Sequence, residues 1–177
     1  VLVLANHLPS NTNNVGSSIS SINAADFARQ AKFDVSQLLR TIPNMSVSRS
    51  GPMGALTQVR IRGAEGNHTL VLIDGVEVND VGSGSEFNFA HLAGADISRV
   101  EVLRGPQSAR FGADTIGGVI GIFTNQDVEP GVKTHVNVES GSFKTHYGSA
   151  GASVAQPHGD NLWTGQINVS RMISDGY

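Results

Sequence analysis

Side chains able to do chemistry are scattered along this sequence. Histidines stand at His7, His68, His91, His135, His146 and His158, and no His-Glu-x-x-His pairing occurs. His135 and His146 fall on adjacent strand-like segments, so they are either a two-histidine metal site or ordinary polar positions on a strand face. Cysteine is absent, which excludes disulfide frameworks, thiolate metal sites and cysteine nucleophiles. No Gly-x-Ser-x-Gly elbow and no Walker loop is present. Gly82-Ser83-Gly84-Ser85 lacks the strand before it and the helix after it that a phosphate loop needs. Asp74 follows an apolar run, as catalytic acids often do, but Gly75 comes next and makes a turn-forming aspartate the plainer reading. Asn67-His68-Thr69 spells a glycosylation acceptor, meaningful only in a eukaryotic secretory setting. These residues imply no enzyme, no cofactor and no resident metal.

The composition narrows the classes further. Lys plus Arg number 12 and Asp plus Glu 15, a net charge of −3, so the chain lacks the cationic excess of a nucleic-acid binder. Charged residues make up 15%, below the roughly 25% of soluble domains. Glycine accounts for 21 of 177 residues, well above the typical ~7%. Low charge with abundant Gly, Ser, Thr and Asn favours turns and strands over helix bundles. The longest apolar runs, Val1–Ala5 and Leu70–Ile73, are far short of the ~20 residues of a spanning helix. Val1–Ala5 is also too short for a signal-peptide core. A membrane role would have to be carried by strands.

The elements that must position any site fall into zones. Residues 1–22 read as an extended polar tail after Ala5. Asn23 can cap a helix over Ala24–Ala31, with Asp26 at the capping-box position. Asp34 can cap a second helix whose apolar face is Val35, Leu38, Leu39 and Ile42, and Pro43 should end it. Strands are expected at Met45–Ser48, Gln58–Ile61, Thr69–Ile73, Val100–Leu103 and Gly118–Phe123, and a short helix at Pro106–Phe111. Thr69–Ile73 is apolar almost throughout, as a strand covered on both faces would be. Two polar, Gly-rich stretches, Arg49–Thr57 and Asn79–Asn88, are long for connections and read as functional loops.

Beyond residue 131 the pattern changes. Val132, Thr134, Val136 and Val138 alternate with Lys133, His135, Asn137 and Glu139, and a second alternation runs from Leu162 to Ile173. Phe143–Gln156, between them, alternates less cleanly. Strands of this length fit either a transmembrane β-sheet or a soluble meander.

One ordered set of blocks stands out. Val59-Arg60-Ile61-Arg62-Gly63 precedes Leu70-Val71-Leu72-Ile73-Asp74-Gly75-Val76. Then come Ile97–Pro106, reading ISRVEVLRGP, and Phe111–Ile120, reading FGADTIGGVI. In order and spacing these blocks resemble the plug domain of TonB-dependent outer-membrane receptors, over roughly residues 1–130. Within that family the sequence is most similar to the cobalamin receptor group, through Val1–Asn6, Arg62-Gly63, His68–Val76 and Asp175-Gly176-Tyr177. It departs from that group in both polar loops.

The resemblance implies an α+β fold: a globular plug with a small mixed β-sheet and short helices, followed by antiparallel strands that begin a transmembrane β-barrel. Residues 1–7 would be the TonB box and tail, 8–130 the plug, and 131–177 the first barrel strands. Three strands cannot close a barrel, so the expectation is the N-terminal part of a receptor in the outer membrane of a Gram-negative bacterium. Its cargo would be a small metal chelate: cobalamin, a siderophore or haem. An isolated soluble plug-like binding module is the alternative. Ligand would meet Arg49, Ser50, Met53, Leu56 and Thr57 in the first loop, and Asn79, Asp80, Ser83, Glu86 and Phe87 in the second. Arg62 and Arg104 would latch plug to barrel. The TonB C-terminal domain would add Val1, Leu2, Val3, Leu4 and Ala5 to its sheet as a strand. Proline at Val3 removes one main-chain donor from that strand. Val3→Pro should therefore abolish ligand uptake and TonB crosslinking and leave surface binding intact, whereas normal uptake by the variant would reject the assignment.

Overall fold

The computed structural model describes residues 18–23, 26, 34–52, 54–92, 97–124, 130–159 and 161–175. The chain divides after Thr124 into two units. Val1–Ala5 and Met53 lie outside the described residues, as does nearly all of the helix expected over Ala24–Ala31. One half of its capping box is in place: the Asp26 carboxylate accepts the Asn23 N–H at 2.9 Å.

The first unit is built on a five-stranded mixed sheet. Its strands are β1 (Ser18–Asn23), β4 (Thr69–Ile73), β5 (Val76–Glu77), β6 (Ile97–Arg104) and β7 (Gly118–Thr124), in the order β1-β6-β7-β4-β5. Only β4 and β7 run parallel. A separate hairpin pairs β2 (Met45–Arg49) with β3 (Thr57–Ile61). Helix α1 covers Val35–Leu39 and α2 covers Ser108–Phe111.

Both faces of the five-stranded sheet are covered, as the apolar run at Thr69–Ile73 predicts. On one face Val71, Val100, Val102, Ile120 and Ile122 pack with Val35, Leu38 and Leu39 of α1, Val59 and Ile61 of β3, and Phe89. On the other, Leu70, Leu72, Leu103 and Val119 pack with Ile19, Phe111 and Phe123. Burying such side chains is worth about 1.5–3 kcal/mol each before entropy is counted. Asp74 and Gly75, with φ of 50° and 87°, form the two-residue turn between β4 and β5, so the turn-forming reading of Asp74 is correct. Its carboxylate also accepts from the Thr124 N–H at 3.0 Å and the Thr124 hydroxyl at 2.6 Å.

Two expectations are corrected. Ser18–Asn23 is a strand, not tail. Its SISSIN sequence has little apolar character, and it is ordered by a continuous antiparallel ladder with β6. Helix α1 ends at Leu39, short of Pro43. Thr41 and Ile42 tighten the last turn by donating to the Leu38 and Leu39 carbonyls at 2.9 and 3.1 Å.

The second unit is a three-stranded antiparallel sheet of β8 (Gly131–Gly141), β9 (Thr145–His158) and β10 (Asn161–Ile173), in the order β10-β9-β8. The segment that alternates poorly in sequence, Phe143–Gln156, lies from Thr145 onward in the central strand, specified by neighbours on both sides. Register aligns Val132 with Val154 and Gly165, Thr134 with Ala152 and Ile167, and Val136 with Ala150 and Val169. This shared face is apolar yet exposed: Val136 is 78% accessible and Ile167 68%. On the opposite face of β9, Thr145, Tyr147 and Ser149 are buried. The polarity is the inverse of a sheet packed on a water-soluble core. No described helix is long and apolar enough to cross a membrane, which leaves strands untouched as candidates.

Gly118 tests the first unit. Its φ is +151°, and a Cβ there would lie 2.3 Å from the Leu103 carbonyl oxygen. Gly118→Ala should destabilise the fold by about 3 kcal/mol or more, through backbone strain and overpacking together. An unchanged urea midpoint would show that β6 and β7 can separate there freely.

Candidate functional site

The two polar loops meet at one end of β3. The first is the hairpin connection 50–56, closed by the Ser50 N–H donating to the Leu56 carbonyl at 3.0 Å. Ser50 and Leu56 are exposed at its ends, and Leu56 is 45% accessible. Arg49 and Thr57 belong to the strands instead, paired across the hairpin. The Arg49 guanidinium forms an ion pair with Asp34, the cap of α1, and donates from Nε to Thr57 Oγ1 at 3.3 Å. Thr57 is fully buried. The expectation that Thr57 faces a ligand is therefore corrected, and Arg49 is already engaged as a strut between helix and hairpin.

The second loop is more ordered than its composition implies. Asp80 and Glu86 form an antiparallel bridge, with the Asp80 N–H donating to the Glu86 carbonyl at 3.1 Å. Between them the Asp80 carboxylate caps the 3₁₀ turn Val81–Ser83, accepting the Gly82 N–H at 2.9 Å and the Ser83 hydroxyl at 2.6 Å. These bonds, the hydroxyl first, hold the Asp80 carboxyl below its ordinary range. The turn's cap is thus fully charged above the ordinary aspartate pKa, and its contribution is lost as pH falls through the lowered value. Asp80 and Ser83 are exposed.

Asn79, Glu86 and Phe87 are half-buried and hold the loop's base. The Asn79 amide accepts the Val71 N–H at 2.7 Å and donates to the Thr69 and Ser85 carbonyls at 3.0 and 2.8 Å. Glu86 accepts from Gln58 Nε2 at 2.5 Å and lies over Gly66, where a Cβ would come within 2.8 Å of Oε1. Phe87 packs edge-on against Phe89, centroids 4.8 Å apart, and is half-buried against the main core.

Asn88 is the residue that sequence reasoning misses. Its Oδ1 accepts the Thr57 and Ala90 N–H groups, both at 3.0 Å, tying the first loop to the second and capping the turn Phe89–His91. An asparagine directly before Phe89-Ala90-His91 is a cap signal on its face.

At the far end of β3, about 13 Å away at ~3.3 Å per residue, the two arginines converge. Arg62, exposed and at φ +53°, donates its N–H to the Asn44 carbonyl at 2.8 Å. Its Nη1 lies 3.2 Å from where a Gly105 Cβ would stand. Arg104 donates from Nη1 to the Pro43 carbonyl at 2.9 Å and from Nη2 to Ser20 Oγ at 2.8 Å. Their strands are not paired: β3 pairs with β2, and β6 with β1 and β7. The strand ends, not the strands, are neighbours.

Register separates the two histidines that offered a metal alternative. His135 stands opposite Gly151, and His146 lies an odd number of residues from Gly151, hence on the other face of the sheet. Among the described residues no group of three metal-binding side chains occurs.

Comparison with known proteins adds to this geometry. Residues 11–119 match the family model described as TonB-dependent Receptor Plug Domain. The Pseudomonas aeruginosa ferric enterobactin receptor, solved with enterobactin as a variant, is similar at 25% identity and a TM-score of 0.68, covering 87% of this chain and 24% of that one. The siderophore receptor PirA of the same organism is 28% identical, with a TM-score of 0.63, covering 89% of this chain and 29% of that one. The ferripyoverdine receptor of its outer membrane, at 20% identity, shows a shared fold: TM-score 0.77, covering 97% of this chain and 22% of that one. This chain thus spans between a fifth and a third of the length of these receptors. They are siderophore receptors, and the finer likeness to cobalamin receptors gains nothing from them.

Phe87→Ala should destabilise the first unit by about 1–3 kcal/mol, the scale of a half-buried aromatic. A loss of ligand affinity with an unchanged melting transition would return Phe87 to the binding surface.

Proposed function

This chain belongs to the TonB-dependent receptor plug-domain family, and from that premise we propose that it is the N-terminal part of an outer-membrane receptor importing a ferric siderophore to the periplasm. In this reading 8–130 is the plug and 131–177 begins the barrel. The observation that carries the membrane assignment is the inverted polarity of the three-stranded sheet, whose apolar face is exposed. Lipid is the solvent that such a face suits, and it disfavours an isolated soluble module. The siderophore assignment draws on what the compared receptors bind; cobalamin and haem are the other cargoes to be tested against it.

The transport mechanism uses no covalent chemistry. Ligand arrives at the loop end of β3, where Ser50, Leu56, Asp80 and Ser83 are exposed. Arg49 and Asn88 brace the loops that carry them. Arg62 and Arg104 stand at the opposite strand end and would pair with barrel carboxylates, a contact that gains strength where water is partly excluded. TonB would take Val1–Ala5 as an added strand and couple inner-membrane energy to the plug.

Iron uptake by cells expressing the intact receptor, with and without TonB, tests this reading. Uptake of a ferric siderophore should vanish without TonB, and TonB-independent uptake would reject it. In the same cells Arg62→Glu should raise protease access to the plug at unchanged receptor level. Unaltered cleavage would remove the latch role.

A further inference from the structure

The charge carried by the apical loops is one-sided. The second loop and the strand that leads into it, 76–88, hold Glu77, Asp80 and Glu86 and no Lys or Arg, and the first loop, 50–56, holds no charged residue. The arginines on the flanking elements are turned to internal partners. Arg49 is held by Asp34 and Thr57, Arg60 donates to Gln58 Oε1 at 3.2 Å, and Arg40 donates to the Val47 carbonyl at 3.1 Å.

What the loop tips do present is apolar, hydroxylic and anionic. Leu56 is 45% and Val81 86% accessible, beside the exposed hydroxyls of Ser50 and Ser83. At the tip the exposed Asp80 carboxylate is kept ionised by the Ser83 hydroxyl and Gly82 N–H, and Glu77, on the edge strand β5 leading into the loop, is exposed as well. The two loops share one base through the Thr57–Asn88 and Gln58–Glu86 hydrogen bonds, so an arriving chelate meets both together.

Iron(III) chelates differ in charge by their donor groups. Three catecholates bring six negative charges to Fe³⁺ and leave a trianion. Three hydroxamates bring three and leave a neutral complex. A trianion at these tips meets like charge with no cation from either loop to offset it, and like-charge contact is a strong term against a wrong partner. A neutral chelate loses nothing to that repulsion and can use the apolar and hydroxyl groups.

We propose that this apical surface selects a ferric chelate of zero or positive net charge, of the trihydroxamate kind, over a trianionic tricatecholate such as ferric enterobactin. The proposal rests on the siderophore-receptor reading and sharpens it.

The test is competitive binding to the intact receptor in outer-membrane vesicles, using a neutral ferric trihydroxamate and ferric enterobactin at low and high ionic strength, with TonB-dependent iron uptake measured in parallel. The trihydroxamate should bind at least about ten-fold more tightly at low ionic strength, and the gap should shrink with salt. Glu77→Lys should narrow it, and so should Asp80→Asn, which keeps an oxygen to cap the Val81–Ser83 turn. Equal or tighter binding of ferric enterobactin, or a ratio unmoved by salt and by both variants, overturns the inference. If ferric enterobactin is also taken up in a TonB-dependent way, the receptor reading survives that failure. If neither chelate binds, the siderophore reading falls and the inference with it.

Discussion

Strands β6 and β7 have to be buried on both faces, and the first unit is arranged around that requirement. Their ladder brings Gly118 so close to the Leu103 carbonyl that no side chain fits there. Helix α1 and the β2–β3 hairpin close one face, and Phe111 and Phe123 close the other. The burial extends to Glu101, which lies fully inside the unit with Arg99 Nε 2.8 Å from its carboxylate and the Arg99 guanidinium over the Phe123 ring. An ionised group so placed is costly unless paired, so it ties the outer face of β6 to one arrangement.

On that platform the apical loops are held by polar contacts at their base and left free at their tips. Asp34, Arg49, Thr57 and Asn88 form a connected path from the cap of α1, through the hairpin, to the second loop. Asn79 supplies the main chain of β4 with partners that a neighbouring strand would otherwise give. Each polar group makes a finite number of hydrogen bonds, and those spent on the fold at the base are not open to cargo.

The second unit obeys a different solvent. Its sheet exposes valine, isoleucine and Trp163 on one face while Thr145, Tyr147 and Ser149 are buried on the other. The alternation that would pack a soluble meander here points the opposite way, which is the arrangement a lipid-facing strand requires. In the proposed receptor, two solvents acting on one chain would account for its low overall charge and its wealth of Ser, Asn and Gly.

Much of this was legible in the residues themselves. Thr69–Ile73 is apolar at consecutive positions, so its burial on both faces follows from composition alone. Asp34, the apolar face of α1 and the Asp74-Gly75 turn are local signals, written within a few residues of where they act. The ordered blocks at Val59–Gly63, Leu70–Val76, Ile97–Pro106 and Phe111–Ile120 identified the family. Tertiary structure alone decided the rest. Ser18–Asn23 carries no strand pattern and is a strand because β6 offers it a ladder. Arg49, Thr57, Asn79, Glu86 and Phe87 look like loop residues in sequence, yet their partners lie from a few to more than thirty positions away. Sequence shows which groups can hydrogen-bond or bury a ring. Which of them are consumed by the fold, and which are left for a ligand, depends on contacts that exist only once distant segments have been brought together.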